Sequence, residues 1–243
     1  MAPAFLSWLG VPPDRRWLDV GCGTGALCTA IRDRCEPSSI VGLEPSSGFL
    51  STARARLGGQ VTFLQGNASE IPLEDDAVDI VVSGLVLNFI PDPLTALMEM
   101  ERVASPGGMI GAYVWDYAGQ MQLIRFFWDA ASEIDARAAE LDEGVRFPLC
   151  HPDALSRLFA AGRLADVEVT GIEISTPFAS FAEYWHSFLG GQGPAPTYLT
   201  SLDAMQRKRL RDRLRERLPV EPDGSIPLDA RAWAARGTVV QRT

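Results

Sequence analysis

Six polar residues stand out as groups that could do chemistry: Asp19, Glu44, Asn67 and Ser83 in the first half of the chain, then Asp116 and His151. Asp19 leads into "VGCGTGA", where Gly21, Cys22, Gly23 and Gly25 make a glycine-rich turn. Glycines there permit a tight reversal and let backbone N–H groups approach a ligand with no Cβ in the way. With the acid Glu44 at the end of the next apolar run, the arrangement suits a ribose-bearing cofactor. Gly21-x-Gly23-x-x-Ala26 also meets a loose dinucleotide fingerprint, so the turn alone leaves open a nicotinamide-dependent oxidoreductase, or a packing turn with no ligand. Asp19 tilts the choice. A carboxylate two residues before Gly21 suits a positively charged cofactor better than a doubly anionic pyrophosphate.

Short β-like runs alternate with helical stretches from residue 15 onward, the pattern of a parallel sheet covered on both faces. "RWLDV", "SIVGLE", "VTFLQG", "AVDIVVSGLV" and "GMIGAYVW" read as strands one to five; Thr24 to Arg34, Gly48 to Leu57 and Leu94 to Ala104 read as helices between them. These runs are apolar enough to be buried on both faces. The second half breaks the rhythm. Residues 119–143 are helical in composition, a helix begins near Pro152, and "LADVEVTGIEIS" alternates like a strand. "FAEYWHSFLG" and "LDAMQRKRLRDRLRERL" read as helices separated by the loop "GQGPAPTY", and "SIPLDARAWAARGTVV" as a final strand. The expected architecture is α/β: a Rossmann-like, doubly wound, seven-stranded and mostly parallel sheet in one domain over 1–243. Its cofactor-binding core would span 15–116, with helical cap segments at 117–150 and 178–218 lying over the carboxyl ends of the strands, where such sheets bind ligands.

A net charge of −9 argues against nucleic acid and anionic membrane as primary partners. Four cysteines, at 22, 28, 35 and 150, show no C-x-x-C spacing and no nearby histidine, so no metal site is expected and the thiols are read as reduced. "MAPAFLSWLG" lacks a basic leader and no long apolar run follows, which predicts a cytoplasmic protein without membrane insertion. A homo-oligomer is compatible with this composition.

"WLDVGCGTGAL" resembles motif I of the class I S-adenosylmethionine-dependent methyltransferases, and later blocks follow in that family's order. "VGLEPSSGFL" is similar to the second block and "LQGNASEIPLEDDAVDIVVSGLVLNFIPDP" to the third and fourth. "VASPGGMIGAYVW" is similar to the turn and fifth strand of ubiquinone/menaquinone-type and other small-molecule members. The resemblance implies S-adenosylmethionine as cofactor. Gly21, Cys22, Gly23 and Gly25 would run beneath its methionine moiety, Asp19 would orient that end, and Ser83 would face it. Glu44, beside Pro45, would hold the ribose, and Asn67 with Ala68 the adenine. Most members carry aspartate where this chain has Asn67, so the adenine amino group would meet a neutral carbonyl. Members also carry helices before motif I that close over the cofactor. Here "APAFLSWLG" is the one short helix available, so either the cap segments supply the lid or a longer active form exists.

For the chemical step, Asp116 follows the fifth strand and His151 precedes a helix-opening proline; both are candidate general bases, and both have ordinary structural uses. His186 stands in the same position. Aromatics at 115, 126–128, 178, 181, 184, 185 and 188 favour a small apolar or aromatic acceptor. "RKRLRDRLRERL" spaces Leu210, Leu214 and Leu218 as the buried stripe of an amphipathic helix, with an anionic partner as the sharper alternative. The expected activity is methyl transfer to a small molecule, against the oxidoreductase and a non-catalytic cofactor-binding module.

Overall fold

The computed structural model describes residues 1–190 and 193–240. Strands β1 (Arg16–Val20), β2 (Ser39–Glu44), β3 (Thr62–Gln65), β4 (Val78–Gly84), β5 (Ala104–Trp115), β6 (Leu164–Ser175) and β7 (Asp229–Val239) form one sheet in the order β3-β2-β1-β4-β5-β7-β6. The pairs β1–β2, β1–β4, β2–β3 and β4–β5 are parallel. Such pairs need crossovers, here α2 (Ala26–Arg34), α3 (Ser47–Leu57) and α4 (Pro93–Val103). Trp17, Leu18 and Val20 of β1 and Val81 and Val82 of β4 are fully buried, as central parallel strands require.

Helix starts follow local chemistry. Ser46 accepts from the Phe49 N–H at 3.3 Å to cap α3, and Asp92 accepts from Thr95 N–H at 3.0 Å to cap α4, with Pro93 in the first position. Helix α1 (Ala2–Leu9) packs on β5 because Gly111 leaves room: a Cβ there would stand 2.8 Å from Leu9. Phe5 of α1 then packs against Tyr113 with ring centroids 4.6 Å apart and the rings tilted by 49°.

The chain divides into two compact units. The first comprises Met1–Val114, Pro152–Ile172 and residues from Trp233 onward, and includes α7 (Pro152–Ala161). Trp115–His151 and Glu173–Ala232 form the second. It holds α5 (Gln122–Ile134), α6 (Glu143–Arg146), α8 (Phe181–His186), α9 (Pro194–Ser201) and α10 (Ala204–Arg217). Its core joins Phe127, stacked on Phe188 at 4.5 Å, with Trp128, Tyr184, Tyr198, Leu210 and Leu214. The Trp128 indole N–H donates to the Glu143 carboxylate. Among the described residues no helix is long and apolar enough to cross a membrane.

Several boundaries differ from the sequence expectation. Residues 119–143 are not one helix: α5 ends at Ile134, and a 3-10 turn over Ala136–Leu141 precedes α6. The expected loop 191–198 contains the start of α9; Pro194 and Pro196 fall in its first turn, where a missing N–H breaks no helical bond, while Gly191 and Gln192 lie outside the described residues. β5 begins at Ala104, four residues before Gly108, with Gly107 at φ +78° absorbing the irregular register against β4. β4 stops at Gly84, not Val86, because Leu85 turns left-handed at φ +62°.

Candidate functional site

The first unit holds an open cavity of about 310 Å³ past the carboxyl ends of β1 to β4. Of the residues singled out from the sequence, Gly21, Glu44, Pro45, Asn67 and Ala68 line it. Asp19, Cys22, Gly23, Gly25 and Ser83 belong to the strand ends and turn around it and are not part of its lining. Asp116 and His151 lie in the second unit.

Three glycines shape the turn. Gly21, Gly23 and Gly25 have φ of +74°, +54° and +83°, a region L side chains enter only at a cost. At Gly21 a Cβ would also stand 2.5 Å from Val86 Cγ1. The turn's N–H groups are nearly all committed inside the protein. Gly21 and Cys22 donate to the Leu43 carbonyl at 2.8 and 3.0 Å, Gly25 donates to the Cys22 carbonyl at 2.8 Å, and Gly23 donates to Glu44 Oε2 at 3.1 Å. Such a turn offers no cradle of open donors for a pyrophosphate.

Glu44 is fixed at both oxygens, since the Ser46 N–H donates to Oε1 at 3.0 Å. Each carboxylate oxygen accepts more than one bond, so a pinned carboxylate 7 % exposed on the cavity wall can still take ribose hydroxyls. Asn67 is exposed, and its Oδ1 accepts from the Ser69 N–H at 3.3 Å, which fixes the amide beside Ala68.

Asp19 is 1 % exposed, and burial lifts its carboxyl from the ordinary 3.8 to about 7, opposed by hydrogen bonds from Cys28 and reinforced by the charge on Glu44. Oδ2 accepts from the Cys28 thiol at 3.2 Å, while Oδ1 has no hydrogen-bond partner. The fully buried Ser83 hydroxyl at the end of β4 also has none. Unpaired buried polar atoms cost about 1–3 kcal/mol each and call for an explanation. An incoming ligand with an ammonium group is one that fits this donor and acceptor set.

Sequence reasoning missed the far wall. Val86, Phe89, Ile90 and Pro91 line the cavity after the Leu85 turn, together with Leu43 and Gly66. The signal was present in "VLNFIP", an apolar run continuing beyond the point where strand four had to end.

In the second unit Asp116 accepts from the Gly119 and Gln120 N–H groups at 3.0 and 2.9 Å, and from Arg231 Nε and Nη2 at 2.9 and 2.7 Å. This ties the turn after β5 to the start of β7. His151 is exposed immediately before α7, and His186 is exposed at the end of α8. Phe127, Trp128, Tyr184, Trp185 and Phe188 fill the unit's own core.

Residues 18–111 match the model of a methyltransferase domain. Among curated proteins, a demethylmenaquinone methyltransferase of Bacillus licheniformis is 40% identical over 105 residues, which is 42% of this chain and 45% of that protein. An uncharacterized methyltransferase of Mycobacterium tuberculosis is 39% identical over 114 residues, 47% of this chain and 45% of that one. The chain thus spans about half the length of the curated relatives it matches. Among solved structures, the YcgJ protein of Bacillus subtilis aligns over 99% of both chains with a TM-score of 0.63 at 17% identity. A phosphoethanolamine N-methyltransferase of Haemonchus contortus, solved with S-adenosylhomocysteine, aligns over 99% of this chain and 52% of its own with a TM-score of 0.62 at 16% identity. At those identities the structural likeness establishes the fold. Residues 18–111 thus resemble a methyltransferase domain, and the fold of the chain is one that solved methyltransferases share.

Proposed function

We propose that this protein transfers a methyl group from S-adenosylmethionine to a small, apolar, ring-bearing acceptor. The observation that carries the cofactor is the glycine turn, whose N–H groups are committed to Leu43, Cys22 and Glu44 while the unpartnered Asp19 Oδ1 lies buried next to it. An acid-rich turn without open donors favours a cationic ligand over the pyrophosphate of a nicotinamide cofactor.

When bound, S-adenosylmethionine supplies a methyl group already activated on a sulfonium. The protein's task is then to bind, align and exclude water. Glu44 accepts from the ribose hydroxyls, with Pro45 beside it, while Asn67 Oδ1 and Ala68 meet the adenine. Gly21, Cys22, Gly23 and Gly25 run beneath the methionine moiety, Asp19 takes the ammonium, and Ser83 offers a hydroxyl at the end of β4. The apolar wall of Val86, Phe89 and Ile90 shelters the ring from water. Should the acceptor arrive protonated, the exposed His151 imidazole can take a proton. Asp116 can do so only by giving up part of its bonding to Arg231 and the turn.

The name of one group of relatives, the demethylmenaquinone methyltransferases, supports a ring-bearing acceptor. A demethylated quinol has an apolar ring and an electron-rich carbon, which suits in-line attack on a methyl group. Calorimetric titration with S-adenosylhomocysteine should give saturable heat and NADH none. Absence of heat with S-adenosylhomocysteine at millimolar ligand would overturn the cofactor assignment. Labelled methyl transfer to a short-chain demethylated naphthoquinol, compared with a phenol and a primary amine, tests the acceptor; transfer to the amine alone would reject the ring-bearing class.

A further inference from the structure

We propose that Cys28 is a positioning residue for the cofactor: its thiol anchors the Asp19 carboxylate through Oδ2 and leaves Oδ1 available for the ammonium group of the methionine end. This rests on the S-adenosylmethionine reading above.

The pair links two elements across the glycine turn. Asp19 is the penultimate residue of β1, and Cys28 stands in the first turn of α2, nine positions further on. Both are buried, at 1 % and 0 % exposure, and Cys28 Sγ lies 3.2 Å from Oδ2. A thiol is a weak donor, yet here it is a permanent one. The Cys22 side chain is within hydrogen-bonding reach of Cys28, and that contact together with burial holds the Cys28 thiol far above the ordinary thiol range. It therefore stays S–H and never becomes a second anion beside Asp19.

The titratable groups acting on Asp19 are Cys28 from α2, Glu44 from β2 and Tyr113 from β5, and none of these carries positive charge. Its second oxygen is left without a partner. A buried carboxylate held only by the neutral donors of Cys28 is restrained in orientation but poorly compensated in charge. A ligand cation would complete it. Because burial favours the protonated acid, binding such a cation should release a proton, and affinity should rise with pH up to about 7. Losing the Cys28 donor would raise the cost of ionising Asp19 further.

Wild type, Cys28→Ala and Cys28→Ser can be compared by calorimetry with S-adenosylhomocysteine between about pH 5.5 and 8.5. Titration of carbon-13-labelled aspartate carboxyls without ligand gives a second readout. Cys28→Ala should bind roughly tenfold more weakly near pH 6.5, the order expected for losing one hydrogen bond to a charged group. Its Asp19 should also titrate at higher pH than in the wild type. Cys28→Ser, which keeps a donor, should recover most of both effects. If Cys28→Ala does not fold, Cys28→Val, of similar volume and without a donor, takes its place. Equal binding by wild type and the donor-less variant would overturn the proposal. So would a folded Cys28→Ser that loses as much as Cys28→Ala, because packing and not hydrogen bonding would then be the cause. Absence of heat for wild type, with the Asp19 titration still moved by Cys28→Ala, would overturn the cofactor reading itself and this role with it.

Discussion

Gly21 and Gly23 look alike in sequence and differ in what surrounds them. A Cβ on Gly21 would meet Val86 at 2.5 Å, whereas a Cβ on Gly23 would meet nothing within 4 Å. Both have positive φ, so either substitution by alanine costs about 1–2 kcal/mol in backbone strain. Gly21→Ala adds a steric clash and should lower the midpoint of denaturant unfolding by the larger amount. Gly23→Ala should leave a well-folded protein that binds S-adenosylhomocysteine more weakly; unchanged affinity would mean that the ligand does not pass over this turn. Asp19 makes a different prediction. Its folded value, about 7, lies above the ordinary 3.8, so the fold binds this proton more tightly than the unfolded chain does. The resulting stabilisation is complete below about pH 4 and is lost as pH rises through about 7. Relative to Asp19→Asn, the ligand-free wild type should be less stable at pH 8 than at pH 5, measured by urea denaturation at both. Of these roles, the acids and glycines were legible in the sequence because their spacing is covalent. The Cys28 donor was not, since only the folded turn brings residue 28 back to residue 19.

Among elements, β1 and β2 have the bounds their apolar runs announced, and the exit from β4 does not. Hydrophobicity continues from Val78 to Ile90, but Leu85 at φ +62° ends the strand and turns the following residues into a cavity wall. A non-glycine residue held left-handed beside a ligand site is stored strain. Leu85→Gly should relieve that strain and cost little stability. α9 was hidden for the opposite reason: its prolines look like loop residues unless they are assigned to a first helical turn. α10 has the amphipathic pattern of Leu210 and Leu214, both buried, with Leu218 buried just past its end, while its arginines are drawn into side-chain contacts. Arg213 and Arg217 both meet Glu133, at 2.5 and 2.8 Å, and Arg215 lies 4.5 Å from the Phe181 ring centroid. Leu214→Ala should therefore cost about 2–5 kcal/mol, whereas Arg213→Ala should cost less than about 1. Asp116 is the more informative site. Asp116→Asn takes from Arg231 the nearer of two carboxylates, Glu173 remaining at 3.6 Å, and should destabilise by about 2 kcal/mol. A large loss of turnover with an unchanged melting temperature would instead assign Asp116 to the proton transfer.

At the scale of the molecule, the methyltransferase domain match stops at residue 111, just before the second unit begins at Trp115. Cofactor chemistry is thus written in a segment with a shared pattern. The second unit lies beyond that shared pattern. The aromatics of the second unit show the difficulty: side chains that suggested a pocket pack against one another instead. Ligand linkage offers a test at this scale. S-adenosylhomocysteine at about one hundred times its Kd should stabilise the native protein by about 2.7 kcal/mol, read as a rise in unfolding midpoint. No rise would reject binding to the folded state.

The first unit is assembled from three separated stretches of chain, and β7, drawn from residues 229–239, lies between β5 and β6. Synthesis delivers the strands in another order. The glycine turn and its neighbours emerge early, but β5 and β6 must wait for the strand that separates them, made after all the helices described above. Until then each presents unpaired backbone groups, a template for association with other chains. Long-range pairing of this kind is slow because loop closure precedes any gain from contacts. A polypeptide halted before Asp229 would therefore be a client for chaperones, and cofactor supplied during translation could secure the early half but not close the sheet.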